Sequence, residues 1–217
     1  MARVLYECLQ PWEAHTLEPN PDSGVVLSVS SGGTPDTKCK EHWGGKISWL
    51  TPKELARNKN LGIPLIINTE RMLTKTGTAS CGASFFDEGT VMLSKRAPVG
   101  LVAISADKMT TNQGFLNIVC GDKLDSKYLA YWLQANTHYL EMVANGTTYS
   151  ELYASDLFEF TIHLPPIDYQ QKVVSFMDNM NVMINLITAS GRSRDGSKYA
   201  NLANDILPHL LTGSILV

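Results

Sequence analysis

The sequence predicts an α+β protein: a compact domain with an antiparallel or barrel-like β-sheet and flanking helices, followed by a C-terminal helical arm. Short β-branched runs separated by Gly, Pro and Asn turns fill the middle of the chain, and connections this short favour antiparallel pairing. Helical spacing of apolar residues occurs at 124–144 and again after Pro165-Pro166, where a longer amphipathic run begins. A chain of 217 residues accommodates one good-sized domain and an appendage. The change in pattern sets the domain at 1–165 and the arm at 166–217.

Residues 1–23, with Trp12 and the stretch 20–24, read as a lead-in. A first strand over 25–29 is stopped by the turn Ser31-Gly32-Gly33-Thr34-Pro35. A second strand covers 46–50, and Thr51-Pro52-Lys53-Glu54 starts a helix with Thr as N-cap and Pro at the first helical position. From Arg57 to Gly82 few apolar anchors follow Ile67, which predicts a long surface excursion. Strands follow at 89–94, 100–104 and 114–119. Leu124-Asp125-Ser126 opens a helix carrying Tyr128, Leu129, Trp132 and Leu133 on one face, and a second helix covers about 137–144. A helical turn or two within 151–157 precedes an alternating strand at 158–162, which closes the sheet.

In the arm, Asp168 can cap a helix running to about Ala189. Val173, Phe176, Met180, Met183 and Ile187 recur at alternating spacings of 3 and 4, the a/d seam of a coiled coil. Val174, Met177 and Ile184 widen the stripe, so one side can pack on the domain while the seam meets another helix. An ordinary amphipathic core helix accounts for the same pattern, and spacing alone does not separate the two. Gly191 and Gly196 interrupt the pattern near 190–197. A shorter helix with Tyr199, Leu202 and Ile206 resumes it before Pro208.

Composition narrows the function. A hydrophobic content of 44% with 18% charged residues predicts a packed core. No long apolar run spans a membrane, and the N-terminus turns polar too soon for a secretory signal, so a cytoplasmic protein is expected. The net charge of −3 counts against a free-standing DNA binder. It leaves room for a local basic patch and for a partner that supplies phosphate contacts. Cys8, Cys39, Cys81 and Cys120 form no close pairs with one another or with the histidines, which predicts reduced structural thiols and no zinc site. The sequence contains no G-x-x-x-x-G-K-[ST], G-x-S-x-G, H-E-x-x-H or G-x-G-x-x-G pattern. Leu164-Pro165-Pro166-Ile167 lacks the acceptor and the aromatic that an amino-methyltransferase needs beside Pro-Pro. Pro21-Asp22 followed by Asp36-Thr37-Lys38 fits a loose metal-dependent nuclease pattern, but its second half sits in a turn rather than on a strand. No catalytic residue, metal or cofactor is expected.

The informative pattern is a series of motifs in order: Ser31-Gly32-Gly33-Thr34-Pro35, His42-Trp43-Gly44-Gly45-Lys46-Ile47-Ser48-Trp49-Leu50-Thr51-Pro52, Leu93-Ser94-Lys95-Arg96-Ala97-Pro98-Val99-Gly100, Thr111-Asn112-Gln113-Gly114-Phe115, Asn145-Gly146-Thr147-Thr148, and Leu164-Pro165-Pro166 with Gln170-Gln171. Together they closely resemble the target-recognition domains of the specificity (S) subunits of Type I restriction-modification enzymes, and 207–213 resembles the end of that family's helix. The resemblance implies a chain that reads one half of a split double-stranded DNA site and carries no catalysis of its own. Methylation belongs to an adenine methyltransferase (modification) subunit, and translocation and cleavage to a restriction subunit. A full S subunit has two recognition domains whose helices pair antiparallel. With one domain and one arm, this chain looks like a half-length S subunit, or an excised half, that rebuilds the pair as a homodimer on an inverted-repeat target. The interruption near 190–197 departs from the family's continuous helix. A protein-interaction adaptor that never touches DNA is the alternative reading.

Candidate site residues follow from this resemblance. Lys95 and Arg96, at a strand end, are candidate phosphate contacts rather than a merely solvated pair. Asn112 and Gln113 carry amides suited to adenine, but a turn that bonds its own backbone is the favoured role. Base readers are expected in the loops that vary within the family: 53–60 with Lys53, Arg57 and Lys59, 68–80 with Asn68, Arg71 and Lys75, and 146–150 with Thr147, Thr148 and Tyr149. Trp43 and Trp49 can stack on bases, yet core packing is the commoner role of such rings.

Overall fold

Val91, Met92, Leu93 and Ser94 are all buried, although a strand with one solvated face alternates. In the computed structural model, the sheet that holds them is covered on both sides. The described residues are 3–4, 12–58, 60, 62–144, 150–189 and 205–212. In chain order the elements are β1 (Arg3–Val4), β2 (Glu13–Thr16), β3 (Val26–Ser30), β4 (Trp43–Leu50), α1 (Pro52–Leu55), β5 (Leu65–Ile66), β6 (Met72–Leu73), α2 (Lys75–Ser80), β7 (Val91–Ser94), β8 (Val102–Ser105), β9 (Thr110–Thr111), β10 (Phe115–Cys120), α3 (Ser126–Ala135), α4 (Thr137–Ala144), α5 (Ala154–Phe158), β11 (Phe160–Leu164) and α6 (Ile167–Ala189). Residues 205–211 are also helical.

The mixed α and β architecture is the one the sequence predicts. The central sheet has the order β3-β10-β7-β8-β5. Its pairings are antiparallel except β5 with β8. Side chains alternate across it. Val91, Leu93, Val102, Ile104, Leu116 and Ile118 enter the main core with α3 and α6. Met92, Ala103 and Phe115 enter a smaller core with Leu50, Leu55 and Met109 on the opposite face. A second sheet, β6-β4-β9, covers that face, and a third, β1-β11-β2, lies beside the helices. Open sheets, not a closed barrel, make up the fold.

Helix ends follow local signals. Thr51 Oγ1 accepts from Glu54 N at 3.2 Å with Pro52 leading α1, and Asp125 Oδ1 accepts from Lys127 N and Tyr128 N at 2.8 and 2.9 Å to start α3. Helix α6 packs on α3 through Val173, Met177 and Ile184, which are at most 5% exposed. A polar seam fixes its azimuth: Lys127 Nζ meets Asp178 Oδ2 at 2.5 Å, the Tyr131 hydroxyl donates to Asp178 Oδ1 at 2.6 Å, and Asn181 Nδ2 donates to Tyr131 Oη at 3.1 Å. Burial, with the Asp178 carboxylate beside it, pushes the Tyr131 phenol well above its ordinary value. It therefore stays a donor across the accessible pH range.

Several expectations are corrected. The lead-in contributes β2, which pairs with β11 from Thr16↔Thr161 to Glu13↔Leu164, and Leu17 beside it is fully buried. The excursion over 57–82 contains β5, β6 and α2. The two strands have too few residues for a readable period and exist because β8 and β4 pair with them, while α2 starts at the Thr74 N-cap. Parallel pairs occur at β1–β11, β4–β9 and β5–β8, where short connections suggested only antiparallel ones. Strand β4 begins at Trp43 rather than 46, with a bulge in which Trp43 and Ile47 both oppose Leu73. Asp168 lies inside the first turn of α6 instead of capping it. Pro208 lies inside the helix at 205–211, where its carbonyl still accepts from Thr212 N at 3.0 Å. The interruption at 190–197, with Tyr199 and Leu202, lies outside the described residues.

Candidate nucleic-acid interface

Motifs scattered along the sequence meet around one junction. Gly33 N donates to Thr111 O at 3.0 Å, and Trp49 Nε1 donates to Gly33 O at 2.8 Å. A Cβ on Gly32 would stand 2.0 Å from Thr111 O, so only glycine passes there. Asn112 Oδ1 accepts from Gly114 N at 2.9 Å, closing its own turn, and Gln113 Oε1 accepts from Thr34 Oγ1. Lys95 N donates to Gly114 O at 2.8 Å. At the arm, Gln170 Nε2 donates to Lys123 O and Pro165 O at 2.8 and 2.9 Å, while its Oε1 accepts from Asp125 N at 2.9 Å. These hydrogen bonds tie segments of the scaffold together, at buried positions such as Gln170 and at an exposed one, Gln113.

Lys95 and Arg96 share one carboxylate. Lys95 Nζ and Arg96 Nη2 each stand 3.2 Å from Glu151 Oε1. Burial alone would raise the Glu151 carboxyl, but the hydrogen bonds and charges of Arg96 and Lys95 outweigh it and hold the group below its ordinary range. The Lys95 side chain is only 14% exposed and the Arg96 side chain 48%. Of the two, Arg96 is the one that can meet a ligand. Leu152 N donates to Lys95 O at 2.8 Å, so the clip also anchors the chain at 151–152. Nothing local in the sequence signals Glu151.

The segments around Glu54–Arg57 and Thr69–Arg71 are tied to each other. Glu70 N donates to Glu54 Oε1 at 2.8 Å, and the Arg57 guanidinium pairs with the Glu70 carboxylate. Burial raises the Glu54 carboxyl above its ordinary value. Trp49 N donates to Thr69 Oγ1 at 2.8 Å, and Thr69 Oγ1 donates to Arg71 O at 2.7 Å, which fixes the backbone of the second segment on β4. The Arg71 Cζ lies 3.4 Å from the centroid of the Trp43 ring and 5.2 Å from that of Trp49. The two indoles meet edge to face at 5.0 Å. Trp49 is buried as expected, whereas Trp43 is half-buried and carries the cation. Lys53, Asn68 and Lys75 are exposed. Lys75 opens α2 beside an apolar hollow lined by Ile47, Ala79 and Phe85. Lys53, Arg57 and Arg71 thus belong to one connected surface. Lys59, Thr147, Thr148 and Tyr149 lie outside the described residues.

The arm residues divide. Val173 is fully buried against the chain's own domain, and Met180 and Ile187 are half-buried. Phe176 and Met183 are 41% and 63% exposed. Val182 and Leu186 are exposed beside them. The buried side of α6 is the line through Gln170, Val173, Met177, Asn181 and Ile184, so the helix carries an apolar face toward its own core and a second one toward solvent.

Among the described residues, no group of three or more His, Cys, Asp or Glu gathers as a metal site, and no helix is long and apolar enough to cross a membrane. Cys39, Cys81 and Cys120 are free, and burial pushes the Cys120 thiol up to about 12, which keeps it unreactive.

The fold is a set of small open sheets with a long helix, α6, packed on α3, and Arg71, Trp43 and Trp49 are grouped at β4. The chain belongs to the family described as the Type I restriction modification DNA specificity domain, whose model matches residues 24–191. It is similar to the specificity subunit of Type I restriction enzyme MjaIX from Methanocaldococcus jannaschii, 41% identical over 160 residues, which are 71% of this chain and 36% of that protein. It is also similar to the EcoR124I/EcoR124II specificity subunit of Escherichia coli, 24% identical across 76% of this chain and 41% of that protein. In fold it is similar to the HsdS subunit from Thermoanaerobacter tengcongensis, with a TM-score of 0.60 at 19% identity, covering 95% of this chain and 46% of that one. A chain from a structure of type I R-M complex assembly and conformational transition has a TM-score of 0.61 at 20% identity, covering 95% and 47%. The chain spans less than half the length of each of these relatives.

Proposed function

We propose that this chain is a DNA-reading element of a Type I restriction-modification complex, with no catalytic centre of its own. It meets double-stranded DNA through Trp43, Lys53, Arg57 and Arg71, with Lys59, Lys75, Thr147, Thr148 and Tyr149 as further contacts expected from the sequence. Arg96 contributes a phosphate contact, and Lys95 supports it by holding Glu151. Phe176, Met183 and the exposed parts of Met180 and Ile187 meet the arm of a second copy. Twofold pairing of two such chains makes the target an inverted repeat divided by a spacer. An adenine methyltransferase subunit supplies the methyl-transfer chemistry and much of the phosphate contact that a chain of net charge −3 does not. A restriction and translocation subunit joins the same complex, which works in the cytoplasm.

The observation that carries this reading is the family match across residues 24–191. It is tested by selection from pooled random duplexes, using the chain alone and the chain with an adenine methyltransferase subunit. The expected result is enrichment of a split inverted repeat. A protein-interaction adaptor enriches no sequence under either condition.

A further inference from the structure

We propose that Arg71 reads a guanine and that Trp43 is its positioning residue; this rests on the DNA-reading role above and adds the base and the atoms. Arg71 is exposed, yet its guanidinium lies against the Trp43 ring with Cζ 3.4 Å from the centroid. Contact through the face of the guanidinium leaves its N–H donors free at the edge, in a fork suited to two acceptors side by side. The rings are themselves fixed: Trp43 Nε1 donates to Asp36 O at 3.2 Å and Trp49 Nε1 to Gly33 O at 2.8 Å. Among the described residues the Arg71 guanidinium enters no ion pair, and its neighbour Glu70 is taken by Arg57. A long side chain is therefore held in one place before any ligand arrives, with its donors unused. That arrangement lowers the ordering cost of binding.

The surroundings favour a base edge over a phosphate. Arg71, Trp43, Gly44, Gly45, Glu70 and Met72 line one open cleft of about 280 Å³. Glu70 lines the same cleft with its carboxylate paired to Arg57, so a phosphate brought to Arg71 gains less there than it would from two unpaired cations. Guanine offers O6 and N7 as adjacent uncharged acceptors that match the fork. Gly44 takes a φ of +79° at the bulge of β4 and has nothing within 4 Å of where its Cβ would stand, so the approach is clear.

The test is sequence selection from a random duplex pool with the full chain and its Arg71→Lys, Arg71→Ala, Trp43→Ala and Trp43→Phe variants, with affinities measured for the selected and scrambled duplexes. Arg71→Lys keeps the charge and removes the fork. The expected result is a wild-type motif containing a guanine position that both Arg71 variants relax while other positions hold. Affinity for the selected duplex falls about 5- to 140-fold in Arg71→Ala, with little change for scrambled DNA. Trp43→Ala relaxes the same position and Trp43→Phe restores it. An unchanged motif in the Arg71 variants overturns the proposal, and so does equal weakening on every duplex with a salt slope lower by about one, which marks a phosphate contact. If the wild-type chain enriches no sequence either alone or with an adenine methyltransferase subunit, the DNA-reading role itself fails and this inference with it.

Discussion

Replacing Phe176 and Met183 together by Asp attacks the solvent-facing side of α6 and spares the side that holds the domain. Phe176 is 41% exposed and Met183 63% exposed in the single chain. Fully burying a large apolar side chain contributes about 1.5–3 kcal/mol, so covering the remaining surface of this pair contributes about 2 kcal/mol per copy. Twofold symmetry doubles that to about 4 kcal/mol, roughly a thousand-fold in the dimer dissociation constant. Sedimentation velocity over a concentration series measures it, and the wild-type chain is expected to be a dimer where the variant is a monomer. Both side chains are partly covered within the single chain, so the separated monomer should lose about 1–2 kcal/mol of stability in thermal unfolding. Met177→Ala, on the face of α6 that is only 2% exposed, is the internal contrast. It should cost about 2–5 kcal/mol of fold stability because it opens a cavity in the core. An unchanged mass for the Asp variant, at concentrations where the wild type is a dimer, refutes the arm as the contact between copies.

The clip at Glu151 predicts different fates for its two cations. Lys95→Ala leaves a mostly buried carboxylate short of a partner and should destabilise the fold by about 1–3 kcal/mol in urea unfolding. Arg96→Ala should leave the midpoint nearly unchanged and lower the salt slope of DNA binding by about one; equal effects of both substitutions on stability and on slope would contradict the division. The clip is also pH-dependent. Because the folded Glu151 carboxyl titrates below its ordinary value of 4.5, its stabilisation is complete above that pH and is lost as pH falls through the lower folded value. The stability gap between wild type and Glu151→Gln should therefore be constant at neutral pH and shrink only in acid, which urea midpoints across a pH series read directly. Purified alone, the chain should neither cut nor methylate DNA in gel and methyl-transfer assays. Magnesium-dependent cleavage abolished by Asp36→Ala would overturn the non-catalytic reading.

What the sequence determined by itself was whatever its local chemistry encodes. The β-branched runs at 89–94, 100–104 and 114–119 became β7, β8 and β10, and Thr51-Pro52 and Asp125 began α1 and α3. The apolar period after Pro166 became a helix of 23 residues. The ordered motifs identified the family, and several of their side chains proved to be ties between backbones, as Asn112 and Gln170 illustrate. The tertiary structure decided everything that depends on which distant segments meet. Strand β2 and the two-residue strands β5 and β6 carry no readable period, because their partners β11, β8 and β4 are what make them strands. The arm shows the same limit from the other direction. Its spacing allowed Val173 to share a seam with Phe176 and Met183, but Lys127 and Tyr131 of α3 hold Asp178 and set the azimuth of α6, which turns Val173 inward. Nor does any spacing place Arg71 on Trp43, since 27 residues and a strand pairing of β4 with β6 intervene. Periodicity encodes a face of an element. Only closure of the chain on itself decides what that face meets, because the contacts that choose it join residues the local sequence never sees together.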